Sequence, residues 1–267
     1  MQEIQEYLQW KATHRKEVTA KRYEIWIRRF YSVSKCNIAK ATFSDVLKFH
    51  KLLLEYSPKT QEFAMAILHD YVSYYSKRRK LKLILDDIRV QRGRSHSHKP
   101  ITPEEYITMM TWVYPTNITK LRDLCLIRLL YDTGARISEI CTLTYDIIDT
   151  EARTAEIQNA KRRDDGYIFW GNDTNEFLKT YLDNVKGNLF PSVRQCQRIL
   201  QKYVNKAGIE KRITPHSFRH SKAWRILDNG GTVKDVQAIL RHKSPMSSFK
   251  YLDWHQAKNQ ERAQQFM

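Results

Sequence analysis

The most informative stretch of the chain, residues 133–148, reads TGARISEICTLTYDII. An apolar helical pattern over Leu121–Tyr131 precedes it, and Gly134 is expected to end that helix. Arg136 and Glu139 then fall near the start of the next helix, Ile137–Leu143, where a spacing of three puts them on one face. Because a helix start presents free amides and partial positive charge, this junction is suited to binding a phosphate.

A second cluster of polar side chains lies near the end of the chain. Residues 216–231 read HSFRHSKAWRILDNGG, and residues 240–251 read LRHKSPMSSFKY. His216 and Arg219 share the first turn of a predicted helix, so a second helix start brings nitrogen donors together. Both helix starts are therefore suited to binding a phosphate.

Around these clusters the sequence is mainly helical. Thr102, Pro103 and Glu105 form a capping box that predicts a helix start. Two short strands, Thr154–Gln158 and Gly166–Trp170, are expected to pair as an antiparallel hairpin with its turn over Asn159–Asp165. Further helices are predicted over Glu176–Val185, Val193–Lys206, His216–Leu227, Val233–Leu240 and Pro245–Trp254.

The first part of the chain predicts a separate helical domain, with helices over Thr19–Val33, Phe43–Tyr56 and Thr60–Lys80. Met1–Lys99 carries 21 Lys and Arg against 10 Asp and Glu, and the remainder carries 25 against 19. Residues 91–100 (QRGRSHSHKP) are polar and basic, which is typical of a linker. We therefore expect a domain at 1–90, a linker at 91–100 and a second domain at 101–267.

The strongly positive net charge limits the kinds of partner that the protein is expected to bind. The net charge of +17 and pI near 9.7 indicate a polyanionic partner, which could be DNA, RNA or an anionic membrane. A membrane is disfavoured because no apolar run approaches the roughly 18 residues that a spanning helix needs, and no secretory signal follows Met1. Four cysteines without regular spacing are interpreted as reduced core thiols. A cytoplasmic location is expected.

The three quoted motifs together resemble the catalytic core of the tyrosine recombinase family, which includes the phage integrases and Xer proteins. The resemblance covers about Leu121 to Trp254. It implies a catalytic set consisting of an arginine, a hairpin lysine, a His-x-x-Arg pair, a further histidine and a tyrosine nucleophile: Arg136, Lys161, His216, Arg219, His242 and Tyr251. The spacing of nine from His242 to Tyr251 matches the family pattern.

These residue types suit phosphodiester chemistry without a metal or other cofactor. Two guanidiniums can hold the non-bridging oxygens, and His216 and His242 can donate to them. Tyr251 would attack the phosphorus and form a 3′-phosphotyrosine, while Lys161 would protonate the departing 5′-hydroxyl oxygen. Glu139 is expected to orient an arginine or histidine of the site.

The resemblance also implies a fold and an assembly. The fold is mainly α: an N-terminal helical core-binding (SAM-like) domain, then an α-rich catalytic domain with a small antiparallel sheet. Two such domains can close as a clamp on double-stranded DNA, and a homotetramer would form on two synapsed sites, with 256–267 as the exchanged C-terminal segment. A partner recombinase or accessory protein is possible. Candidate DNA-binding residues are Thr19, Lys21, Arg22, Arg28, Lys77, Arg78, Arg79, Arg92, Arg94 and Arg241.

Other interpretations stay open at this point. The chain could be a topoisomerase of type IB, or a catalytically silent DNA-binding protein of the same fold. Arg136 and Glu139 could form a solvated ion pair, His220 could replace His216, and Tyr251 could be a core residue. Two positions depart from the family pattern: Arg241 stands where glycine is common, and Asp86-Asp87 where Asn-Pro is common. Arg241 could contact phosphate or simply be exposed.

Overall fold

The computed structural model describes residues 2–14, 17–36, 38, 40–75, 85, 88, 99–157, 166–242, 244, 247–248 and 251. The chain divides into two compact units, Met1–His96 and Ser97–Met267. In the described part, no helix is long and apolar enough to cross a membrane.

The first unit contains four described helices: α1 (Gln2–His14), α2 (Glu17–Ser34), α3 (Phe43–Leu53) and α4 (Pro58–Tyr74). Large side chains such as Tyr7, Phe30 and Phe49 fill its core and are fully buried. Asp70 of α4 accepts hydrogen bonds from Tyr7 and from the buried Lys11 of α1. Because a buried ammonium is costly unless it is paired, this contact fixes α1 on α4.

Helix α1 was not predicted from the sequence. Its residues QEIQEYLQWKATH are mostly polar, and only a narrow stripe of Ile4, Tyr7 and Leu8 is buried among its apolar residues. So few apolar residues give only a weak helical periodicity, so the segment looks like a loop from its sequence. The helix is stabilised by packing on the rest of the unit.

The second unit begins with α5 (Pro103–Thr111) and α6 (Ile118–Thr133). The predicted capping box at α5 is confirmed: the Thr102 hydroxyl accepts from the Glu105 amide at 3.3 Å, and the Glu105 carboxylate accepts from the Thr102 amide at 2.8 Å. Helix α6 is buried on almost every side, and it forms the centre of the core with α8 (Asn172–Leu182) and α10 (Pro215–Asp228) packed against it.

Between α6 and α8 lie one short helix and a sheet. Helix α7 (Ile137–Ile140) is a single turn, shorter than predicted, and a 3₁₀ turn follows at Tyr145–Ile147. The sheet has the order β1-β2-β3, with β1 (Ile148–Asp149), β2 (Thr154–Ile157) and β3 (Gly166–Phe169), all antiparallel. The predicted hairpin is confirmed in β2 and β3, whereas β1, two residues long, was missed because two residues show no alternation.

Two further helices complete the described second unit, α9 (Val193–Lys206) and α11 (Val233–Ile239). The predicted helix Pro245–Trp254 lies mainly outside the described residues. The expected fold class, mainly α with a small antiparallel sheet, is confirmed. All four cysteines are free thiols; Cys125 and Cys196 are buried, and Cys36 and Cys141 are half-buried.

Candidate active site

The junction between α6 and α7 is built on a glycine. Gly134 caps α6 with a left-handed φ of 60°, and its amide donates to the Leu130 carbonyl at 3.1 Å. A Cβ atom here would come within 2.7 Å of Leu240 and 2.8 Å of Lys222. Only glycine combines this φ with so close an approach, so the residue sets where the chain turns towards Arg136.

Glu139 organises the residues after this turn. Its carboxylate accepts from the Arg136 amide at 2.8 Å and from Arg136 Nη1 at 2.6 Å, and it also accepts from Arg241 Nη2 at 2.6 Å. Glu139 is buried, while the Arg136 side chain is 19% exposed. The interpretation of Arg136 and Glu139 as a solvated pair is therefore wrong. Burial raises the pKa of Glu139, but Arg241 and Arg136 outweigh it and hold the pKa below its ordinary range.

Arg219 comes from α10 and is itself buried. Its Nη1 donates to the Gly134 carbonyl at 2.9 Å, and its Nη2 donates to the Leu240 carbonyl. Burial, together with the nearby Arg136, lowers the pKa of Arg219 to about 10. The guanidinium is still charged at neutral pH, so it adds a buried positive charge to the site.

Arg136, His216 and Arg219 line one cavity of about 270 Å³. His216 is exposed at its mouth, in the first turn of α10. The hydroxyl of Thr214, the residue that caps α10, is buried in this lining and has no hydrogen-bond partner among the described residues. A cavity with two guanidiniums and an imidazole on its wall is suited to a phosphate group.

His242 and Tyr251 lie near each other, and Tyr251 interacts electrostatically with Arg219. His242 is held by its amide, which donates to the Gln237 carbonyl at 2.9 Å, and by its Nδ1, which is 2.7 Å from the Ser248 hydroxyl. The rings of His242 and Tyr251 are nearly parallel, with centroids 6.3 Å apart. Tyr251 is buried, which raises its pKa to about 12 despite the opposing charge of Arg219.

The match to known proteins is concentrated in the second unit. Residues 99–258 match the sequence profile of the phage integrase family. The chain belongs to the phage integrase family. The tyrosine recombinase resemblance drawn from the three motifs is thereby confirmed.

Relatives of this integrase family agree with the assignment. The chain is 25% identical over 208 residues to tyrosine recombinase XerC of Syntrophus aciditrophicus, across 70% of this chain and 67% of the relative. It is 31% identical over 160 residues to tyrosine recombinase XerC of Chlamydia caviae, across 54% of this chain and 51% of the relative, so the match spans about half of that protein. A solved Tn1549 transposon integrase in complex with circular intermediate DNA shares the fold, with a TM-score of 0.73, 19% identity and coverage of 97% and 98%.

Five of the six residues implied by the integrase resemblance fall within the described structure, in the second unit. Arg136, His216 and Arg219 share the cavity, and Arg219 interacts electrostatically with Tyr251, beside the ring of His242. Lys161 lies outside the described residues, as do Lys77, Arg78, Arg79, Arg92, Arg94 and the segment 256–267. Among the described residues, no group of three or more His, Cys, Asp or Glu could hold a metal ion.

Four of the five described candidates for DNA contact lie on α2 of the first unit, and the fifth is Arg241 of the second unit. Lys21, Arg22 and Arg28 are exposed, and Thr19 is half-buried. Arg28 pairs with Glu24 one turn earlier, with Nη2 2.7 Å from the carboxylate. Lys21 and Arg28 are seven residues apart and share a face of the helix.

Sequence reasoning did not predict the contacts of several residues around the integrase site. Arg241 is bound to Glu139 with its side chain only 9% exposed, so the idea that it is simply exposed was wrong. The ring of His220 lies 5.2 Å from that of Tyr251, and Ser248 holds His242. The arginine at 241, where glycine is common in the family, was a sequence signal that this position has a particular role. No such signal marks Ser248, since a serine six residues after a histidine is an ordinary sequence feature.

Proposed function

We propose that this chain is a site-specific recombinase that cuts and rejoins duplex DNA through a 3′-phosphotyrosine on Tyr251. The observation that carries the proposal is the position of Arg219. It shares a cavity with Arg136 and His216 and also interacts with Tyr251, so one buried cation joins the phosphate pocket to the candidate nucleophile.

The proposed chemistry assigns each side chain one task. Arg136 and Arg219 hold the non-bridging oxygens and offset the charge that builds up on them during attack. His216 and His242 donate hydrogen bonds to the same oxygens, and one of them accepts the phenol proton. The Tyr251 oxygen forms a bond to phosphorus as the bond to the 5′ oxygen breaks, and Lys161 supplies the proton to that oxygen. Reversal by another strand's 5′-hydroxyl completes exchange.

The burial of Tyr251 adds a requirement to this scheme. Its phenol is protonated at neutral pH, and burial raises its pKa further, from the ordinary 10 to about 12. It is also largely closed off from solvent at 4% exposure. In the absence of DNA the proposed nucleophile is therefore buried, and we expect DNA binding to expose Tyr251 before cleavage.

We also propose the assembly that the family implies. The partner is double-stranded DNA, supported by the charge of +17 and by the Tn1549 integrase solved with DNA. The first unit acts as the core-binding domain through Lys21, Arg22 and Arg28 on α2. Recombination takes place in a homotetramer that exchanges residues 256–267, with or without a partner recombinase, in the cytoplasm.

The test is covalent capture on DNA. A binding duplex is selected from a random-sequence library, nicks are placed near its protected centre, and covalent protein–DNA adducts are separated on denaturing gels. Wild type is expected to form an adduct and Tyr251→Phe none, while both bind the duplex equally. Absence of an adduct with wild type on any nicked variant would overturn the proposal.

A plasmid assay separates recombination from relaxation. Recombination requires two copies of the selected site and yields deletion or inversion between them. Relaxation of any supercoiled plasmid, with no dependence on the site, would instead indicate topoisomerase activity.

A further inference from the structure

Arg241 joins two parts of the second unit that are far apart in the sequence. Its Nη2 lies 2.6 Å from the Glu139 carboxylate, and its Nη1 donates to the Tyr167 carbonyl on β3 at 3.2 Å. The side chain is 9% exposed. One planar guanidinium therefore connects the turn that carries Arg136 with the β2–β3 hairpin.

The stem of the same side chain lies against the base of the hairpin turn. A Cβ atom on Gly166 would come 3.0 Å from Arg241 Cδ, so the arginine stem covers the first residue of β3. Gly166 pairs with Ile157 in the last step of the β2–β3 ladder. Lys161 precedes Gly166 by five positions in the sequence. Arg241 thus contacts the first strand residue that follows the sequence segment containing the proposed general acid.

The backbone at this position favours a residue other than arginine. Arg241 has a φ of 53°, in the left-handed region where a side chain costs energy and glycine does not. An arginine kept in such a conformation, with two groups of its guanidinium bonded, indicates that its side chain contributes something that glycine cannot.

We propose that Arg241 is a positioning residue that ties β3, the strand that follows Lys161 in the sequence, to Glu139, and through Glu139 to Arg136. The proposal rests on the proposed function, because it takes Lys161 as the acid that protonates the 5′ oxygen. Both terminal nitrogens of Arg241 are bonded within the protein. The described lining of the cavity that Arg136, His216 and Arg219 share does not include Arg241. We therefore assign Arg241 to setting the position of the hairpin relative to the phosphate clamp, and not to binding the phosphate itself.

This role can be separated from a direct phosphate contact by the choice of leaving group. Two nicked duplexes of the same selected sequence are compared, one with an ordinary phosphodiester and one with a 5′-bridging sulfur at the scissile position. A thiolate leaves without a proton, so the second duplex needs no general acid. The rate of covalent adduct formation is measured on each, with Lys161→Ala as the reference for loss of the acid.

Arg241→Gly is expected to form adduct about 10- to 100-fold more slowly than wild type on the phosphodiester, because misplacing a reacting group lowers the rate by about that factor. It should return close to the wild-type rate on the sulfur duplex, as should Lys161→Ala. Arg241→Lys should also be slowed on the phosphodiester, since one ammonium cannot reach both Glu139 and Tyr167. If Arg241→Gly does not fold, Arg241→Lys undergoes the same comparison.

Arg153→Gly is the matched control. Arg153 also has a positive φ, of 55°, and its exposed side chain bonds Asn172 away from the cluster around Glu139. This variant should react like wild type on both duplexes.

Three outcomes would overturn the proposal: Arg241→Gly equally slow on both duplexes, Arg241→Gly as fast as wild type on the phosphodiester, or rescue of Arg241→Gly without rescue of Lys161→Ala. Failure of wild type to form adduct on either duplex would instead contradict the proposed function.

Discussion

Arg219 donates from Nη1 to the carbonyl oxygen of Gly134 at 2.9 Å, across 85 positions of sequence. This bond joins the helix that bears the His-x-x-Arg pair to the turn that leads to Arg136. Two arginines proposed to hold one phosphate are thus connected through the backbone of a glycine. The relative position of the two motifs depends on that contact.

Replacing Gly134 tests the contact between Arg219 and the Gly134 carbonyl by altering the backbone that carries the acceptor. Gly134→Ala should lower the free energy of unfolding by about 2–4 kcal/mol, because it adds both left-handed strain and a clash with Leu240 and Lys222. Gly208 is the control, since its φ of 65° is similar but its Cβ would meet nothing within 4 Å. Gly208→Ala should cost only about 1 kcal/mol. Equal losses in urea denaturation would show that close packing at Gly134 does not matter.

Arg219→Lys tests the side chain itself. A lysine cannot bond the Gly134 and Leu240 carbonyls together, so one buried acceptor loses its partner and stability should fall by about 1–3 kcal/mol. Adduct formation should fall by at least about 100-fold. His216→Gln provides the contrast. Because His216 is exposed, this variant should change stability by no more than about 0.5 kcal/mol, yet it should lose as much adduct formation as Arg219→Lys. An Arg219→Lys protein as stable as wild type would contradict this account.

Glu139 should make stability depend on pH in one direction. Its pKa is held below the ordinary 4.5, so its contribution is complete above about pH 4.5 and is lost as pH falls through the folded-state pKa. Glu139→Gln should be less stable than wild type by about 3 kcal/mol near pH 7, because two arginines lose a buried carboxylate. The difference should shrink below pH 4.5.

Urea denaturation at several pH values measures the effect. Glu156→Gln, at an exposed position on β2, is the control and should change stability by less than about 0.5 kcal/mol at every pH. A gap between Glu139→Gln and wild type that widens on acidification would be inconsistent with an ionised, paired Glu139.

The cysteines should differ in reactivity. The sulfur atoms of Cys141 and Cys196 are hydrogen-bonded at 3.4 Å, and this interaction lowers the pKa of Cys141. Burial raises the pKa of Cys125 to about 12. Because the thiolate is the reactive form, iodoacetamide at pH 8 should label Cys141 before Cys125 and Cys196. Mass spectrometry after short labelling times measures the order, and Cys125 labelled first would refute the prediction.

Local patterns predicted much of the fold. The capping box at Thr102, the hairpin of β2 and β3, and helix α9 over Val193–Lys206 all follow from interactions within a few residues. Helix α1 and strand β1 did not follow, since one has too narrow an apolar stripe and the other is too short to show a period. Both are stabilised by residues elsewhere in the chain.

Sequence patterns were enough to predict the residue types of the site, the spacing of nine from His242 to Tyr251, and the shared helix face of Arg136 and Glu139. Folding was needed to bury Arg219 on the carbonyls of Gly134 and Leu240, and to place Glu139 between Arg136 and Arg241. The difference lies in the sequence separation of the interacting residues. Helical periodicity relates residues three or four positions apart, whereas Arg241 and Glu139 are 102 positions apart and meet only when α7, β3 and the end of α11 pack together.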